Sequence, residues 1–301
     1  MGRLSQVVYY VRESPLLGVG FLMLGAVLVF GLMGPLFVDA SLAQPLSAPP
    51  RQSPSWEHPF GTDDSGRDLL SVMVVGVPLT LRIGLLAGAI GLGLGTFLGF
   101  TSGYIGGRFD GTIRGLVDTL LTVPPLVVLV SIASTIREEI SVNIMALVVA
   151  SLAWMWPTRV IRSQVLSMRE RTYVQMAKLN GLGTSEIIWK ELFPNLLPYL
   201  AANFANSVNW AILASIGLEA LGLGPQNDPT IGMTIYWAIT FSALIRGMWW
   251  WWAIPIFFIG VIFIGLLMVA IGLDKLANPR ERKGGAGSAT TMPEFNLTTL
   301  I

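Results

Sequence analysis

Six stretches of this chain stay apolar for about 20 residues, the length a helix needs to cross a bilayer. They are residues 16–38, 79–102, 113–136, 142–161, 197–218 and 252–273. The fourth and fifth are separated by a polar, glycine-punctuated insert, residues 173–195, YVQMAKLNGLGTSEIIWKELFPN. Its pattern predicts helix, turn, helix: Gly181 and Gly183 break the first helix, Thr184 and Ser185 can cap the second, and Pro194 ends it. An ordered polar hairpin between two spans suits a membrane protein that a soluble partner must push.

The spans carry signals of their own. In the second, Gly84, Gly88, Gly91, Gly95, Gly99 and Gly103 form a small-residue stripe, which predicts close helix packing. Pro124 and Pro125 remove two backbone donors from the third, so that helix is expected to kink or break. The fifth holds most of the polar content: Asn203, Asn206 and Asn209 recur every three residues beside Ser207, and Ser215 and Glu219 follow at a spacing of four. Polar groups at membrane depth are costly without a partner or water, so this face either lines a pathway or hydrogen-bonds to neighbouring helices. Trp249, Trp250, Trp251 and Trp252, with Tyr236 and Trp237 upstream, read as an interface anchor, a binding cage being the alternative.

Composition fixes the class. Hydrophobic residues make up 53% of the chain and charged residues 12%, whereas about a quarter of a soluble domain is charged. The expected fold is therefore an all-α, polytopic membrane protein with six transmembrane helices. A net charge of +1 gives no footprint for nucleic acid, and the absence of cysteine excludes disulfides and thiol catalysis. With the N-terminus inside, 14 of the 19 basic residues, including Arg108, Arg114, Arg159, Arg162, Arg169, Arg171, Lys178 and Lys190, fall on the cytoplasmic side. That orientation puts both termini and the hairpin in the cytoplasm of a plasma (inner) membrane protein. The first span is too long for a removable signal peptide and is expected to stay as an anchor.

Catalytic signatures are missing. None of Lys178, Lys190, Lys275 and Lys283 follows a glycine, so the chain has no P-loop, and it has no G-x-S-x-G or H-E-x-x-H. The lone histidine, His58, lies among Asp63, Asp64, Arg67 and Asp68, where turn and cap chemistry is the simpler reading than a metal site. No catalytic role, metal or cofactor is expected of this polypeptide.

Three segments resemble the permease subunits of ATP-binding-cassette importers of the dipeptide, oligopeptide and nickel branch. Residues 173–195 are similar to that branch's EAA loop, Tyr173, Val174, Ala177, Gly181, Ile187, Ile188, Pro194 and Asn195 falling in register, although Gln175 stands at the usual Glu and Met176 at the first Ala. Residues 58–81 resemble its H-P-L-G-T-D-x-x-G-R-D-x-L-S segment. Residues 211–235, AILASIGLEALGLGPQNDPTIGMTI, resemble the branch's A-I-L-x-E-A-x-L-S-F-L-G-L-G segment, with Ser215 at the usual Glu and Glu219 one turn further on.

The resemblance implies a type I importer permease fold of the C-type subunit. It implies a second related permease, two ATP-binding ATPase subunits, an external solute-binding protein, and ATP bound by the partners. ATPase coupling would fall to Ala177, Gly181, Leu182, Thr184, Ile187, Ile188, Leu192 and Pro194. The translocation pathway would include Asn203, Asn206, Asn209, Ser215 and Glu219. Domain organisation follows: a cytoplasmic N-terminus (1–15), the first helix (16–38), an external loop and short helix (39–78), a core permease domain (79–275) with its coupling loop (165–195), and a tail (276–301) disordered from about 284. Peptides are the expected cargo, with nickel or oligosaccharides as alternatives. An ion-driven secondary transporter or a membrane enzyme remains as a rival class; the first would normally show inverted repeats, the second a metal or acid/base cluster.

Overall fold

The computed structural model describes residues 14–277, and within them it is built of helices. The expectations for residues 1–13 and for the tail beyond 277 lie outside the described residues. Helix α1 (Pro15–Met33) starts with proline in its first turn, where the missing N–H costs nothing. Helix α2 (Leu69–Ile105) is 37 residues long, begins ahead of the predicted residue 79 and passes through Pro78. Asp68 explains the early start: its carboxylate accepts the Ser71 amide and the Ser71 hydroxyl, both at 2.9 Å. Gly106, at φ 72°, ends α2 in a conformation that glycine adopts without strain.

Two of the predicted spans are broken. Helices α3 (Gly107–Leu120) and α4 (Pro125–Thr135) meet at 85°, the break falling at the proline pair. Helices α5 (Val142–Ala153) and α6 (Met155–Met168) meet at 41° around Trp154. The hairpin follows: α7 (Thr172–Leu179), the single turn α8 (Thr184–Glu186), a wide π turn Ile187–Leu192, and α9 (Phe193–Ala220). Helices α10 (Ile231–Thr240) and α11 (Trp249–Ala277) are the last among the described residues. By length and apolarity α1, α2 and α11 can each cross a membrane, and each bent pair can serve as one further span. Helix α9 has the length, 28 residues, but carries the polar side chains read from the sequence.

The glycine stripe is the spine of the packing. A Cβ added at Gly91 would lie 2.5 Å from the Ala153 Cβ, and one at Gly95 would lie 2.5 Å from the Pro157 Cβ, so α2 meets the α5–α6 bend nearly backbone to backbone. Gly88 presses in the same way on Val208 of α9. At the hairpin end an apolar cluster joins Phe100 of α2 and Ile161 and Val165 of α6 to Val174, Ile187, Ile188, Leu192, Leu196 and Leu200.

Pro194 does not end the second hairpin helix. It stands just past the π turn Ile187–Leu192, where the regular ladder is already interrupted, and the helical run continues through it into α9. The tryptophan run is also divided. Trp250 and Trp251 are buried in the core, Trp250 donating its indole N–H to the Thr62 carbonyl at 3.1 Å and Trp251 stacking on Phe241, which leaves Trp249 as the one prominently exposed. Around His58 the polar groups make turns and caps: His58 Nδ1 lies 3.0 Å from Asp68, Asp63 accepts the Ser65 and Arg67 amides at 2.8 Å, and Asp64 pairs with Arg51 and Arg246.

Candidate functional site

Two features carry the functional reading, the hairpin and the polar face of α9. In the hairpin, Gly181 turns the chain at φ 80°, with open space where a Cβ would stand. The Gly181 and Leu182 amides close the end of α7 on the carbonyls of Lys178 and Ala177, at 3.0 and 3.2 Å. Glu186 accepts the Gly183 amide at 3.3 Å and pairs with Lys190 at 2.8 Å, and that pairing holds its carboxyl below the usual range. Glu186 thus caps the second helix from inside its first turn.

The coupling residues named from the sequence divide into two sets. Gly181, Thr184 and Pro194 are exposed, and Leu182 is half-buried. Ala177, Ile187, Ile188 and Leu192 are buried against α2 and α6, so they fasten the hairpin to its own chain rather than face a partner. Burying each large aliphatic side chain contributes roughly 1.5–3 kcal/mol, which makes the hairpin a folded part of the core. The apolar side chains that point outward are Met176, Leu179 and Trp189, at 56%, 82% and 58% exposure. A spacing argument could have found this: Ile188, Leu192, Leu196 and Leu200 recur every four residues, an inward stripe that leaves Trp189 outside.

The five pathway candidates also separate. Asn203, Asn206 and Ser207 line a cavity of about 460 Å³ with Trp210, Trp156, Pro125 and Pro157, side chains the sequence reading had not joined. Asn203 turns one amide N–H back onto the Tyr199 carbonyl at 2.9 Å, while Asn206 is exposed. Asn209 is half-buried, with its carbonyl oxygen unpaired among the described residues. Ser215 and Glu219 are fully buried and lie away from the cavity. Glu219 accepts the Thr230 hydroxyl at 2.5 Å, and a Cβ on Gly224 or Gly232 would collide with its side chain. The acid therefore staples α10 to α9, a structural place that its burial dictates.

One more polar contact faces the hairpin end. Arg162 of α6 grips Asp110 of α3 through two nitrogens, Nη2 to Oδ2 at 2.6 Å and Nε to the other oxygen. Arg169 donates to the Gly103 carbonyl at 3.1 Å, closing the last turn of α2.

This arrangement of broken spans around a folded polar hairpin agrees with the sequence comparisons. The profile of the family described as binding-protein-dependent transport system inner membrane component matches residues 91–283, more than half of the chain. The chain belongs to this family. Among its relatives is the dipeptide transport system permease protein DppC of Alkalihalophilus pseudofirmus, 29% identical over 90% of this chain and 88% of that one. A putative peptide permease protein of Brucella abortus is 31% identical over 76% of this chain and 75% of its own length. The oligopeptide transport system permease protein OppC of Bacillus subtilis is 28% identical over 90% of this chain and 88% of that protein. Family and apolar helices together make the chain a multi-pass inner-membrane permease of the type I importer fold.

Proposed function

We propose that the chain is one permease half of an ATP-driven peptide importer. It would pair with a second, related permease around the pathway, with two ATPase subunits on the cytoplasmic side, one of them seated on this hairpin, and a solute-binding protein on the opposite, external side. The observation that carries the reading is the hairpin: it is packed into the core through Ile187, Ile188 and Leu192 yet turns Met176, Leu179 and Trp189 outward. A soluble partner that seats on those side chains moves the helices behind them. Such coupling requires that the two states of the ATPase pair place the hairpin differently, not only bind it tightly.

Cargo is inferred from the cavity and from the names of the relatives. Asn203, Asn206, Ser207 and two indoles offer amide, hydroxyl and aromatic contacts, a lining matched to peptide bonds and neutral side chains rather than to a metal ion. Orientation follows the basic residues, with the hairpin in the cytoplasm.

The test is reconstitution of the four-part membrane complex in vesicles with its binding protein, followed by uptake of a labelled dipeptide with and without ATP. ATP-dependent uptake is expected, and it should be lost when Met176, Leu179 and Trp189 are replaced by serine. Uptake by this chain alone, driven by a proton gradient, would establish a secondary transporter instead. Uptake of nickel in place of peptide would overturn the cargo.

A further inference from the structure

The helical run at residues 184–220 contains no loop, since α8 passes through the π turn directly into α9. Ile188, Leu192, Leu196 and Leu200 are among its buried apolar side chains and recur every four residues, with Ile187 buried beside Ile188. In an α-helix of about 3.6 residues per turn, Leu200 would stand about 120° around the axis from Ile188. One extra residue taken up in a wide turn removes about 100° of that drift, so both ends of the run face the core.

Local chemistry builds the wide turn. Pro194 has no N–H for the Lys190 carbonyl, and its ring crowds that position. The Phe193 amide reaches back five residues to the Ile188 carbonyl. Asn195 donates its side-chain amide to the Glu191 carbonyl at 2.6 Å, the acceptor that its own backbone N–H would take in an α-helix.

We propose that this turn is the joint through which the hairpin drives α9, with Asn195 the positioning residue that holds it open. The inference rests on the coupling reading above and adds a part to it. The hairpin and α9 are each clamped by packing, whereas the turn between them lacks the regular i to i−4 ladder. Bending therefore concentrates there, about the fully buried Leu192, and the cavity-lining Asn203 and Asn206 lie about three and about four helical turns beyond it.

Deletion of Lys190 combined with Pro194→Ala tests the joint. It leaves Ile188 and Leu200 eleven residues apart, close to three α turns, so both faces stay packed while the joint becomes plain α-helix. The chain has no cysteine, so spin labels introduced at Ser185 and Leu213, both exposed, are unique within it. In the assembled complex, the label separation is expected to change between the nucleotide-free and ATP–vanadate states for the wild type and to stay fixed for the deletion. Stimulation of ATP hydrolysis by the binding protein should fall about tenfold, the size of an ordinary coupling free energy. Asn195→Ala should shift both readouts the same way and decides alone if the deletion does not assemble. Wild-type behaviour of either assembled variant overturns the joint. Absence of stimulation in the wild type overturns the importer reading itself, and the joint with it.

Discussion

Two glycines of α2, separated by one residue, should respond oppositely to the same substitution. At Gly91 an added Cβ would lie 2.5 Å from the Ala153 Cβ and 2.8 Å from the Ala153 carbonyl carbon and oxygen, and backbone atoms cannot step aside as a flexible side chain can. At Gly93 an added Cβ meets nothing within 4 Å. Both changes to alanine gain about 1 kcal/mol of helix propensity. Only the first forces the α2–α5 crossing apart, at about 1–3 kcal/mol for overpacking a tight interface. Gly91→Ala is therefore expected to be neutral to about 2 kcal/mol destabilising, and Gly93→Ala to be stabilising by up to about 1 kcal/mol. For a chain of this size the two should differ by several degrees in melting temperature. The assay is thermal unfolding of the purified complex in one detergent, followed by loss of the monodisperse peak. Equal melting temperatures would refute the inference that the stripe works through steric closeness.

Four further outcomes follow from the contacts described. Glu219→Ala should cost about 1–3 kcal/mol by orphaning the buried Thr230 hydroxyl, while Glu219→Gln, which keeps an acceptor, should retain normal complex yield. Ser215→Glu alone adds a second buried acid and should block assembly, whereas Ser215→Glu with Glu219→Ser, the order in the motif these residues resemble, should restore it. Asp110→Arg should cost about 1.5–3 kcal/mol, and Asp110→Arg with Arg162→Asp should regain most of it in a double-mutant cycle. Burial, opposed by the Arg67 and Ser65 contacts, raises the Asp63 carboxyl above its ordinary value. A raised folded-state value means stability that is full at low pH and falls as pH rises through the carboxylate range, so hydrogen-exchange protection around residues 63–68, relative to the intrinsic rate at each pH, should fall over that range and stay level in Asp63→Asn.

The sequence pattern located the long helices because apolar runs of span length have no other common use, and Pro124–Pro125 marked a break that the structure makes 85°. It placed the start of α2 too late: the short helix expected within residues 39–78 and the span expected from residue 79 are one helix, which starts at the Asp68 cap and runs unbroken through Pro78. Helix α10 escaped notice because ten residues are too few for a span. The tryptophan run shows the limit of composition: Trp249 and Trp251, two residues apart, point to nearly opposite sides of one helix, so Trp251 enters the core while Trp249 does not. In the hairpin, the resemblance named residues along the whole loop without separating its two faces, and the structure divides them: Ile187, Ile188 and Leu192 face the core, while Met176, Leu179 and Trp189 turn outward.

Helix α2 has a consequence for how the molecule can move. Its 37 residues make a rod of about 55 Å, well beyond the roughly 30 Å of bilayer hydrocarbon. One end is fixed to the His58–Asp68 turn by the Asp68 cap, and the other is closed by Arg169 beside the hairpin cluster. On the proposed transport reading the rod acts as a mast, a fixed element about which the helices lining the cavity would swing.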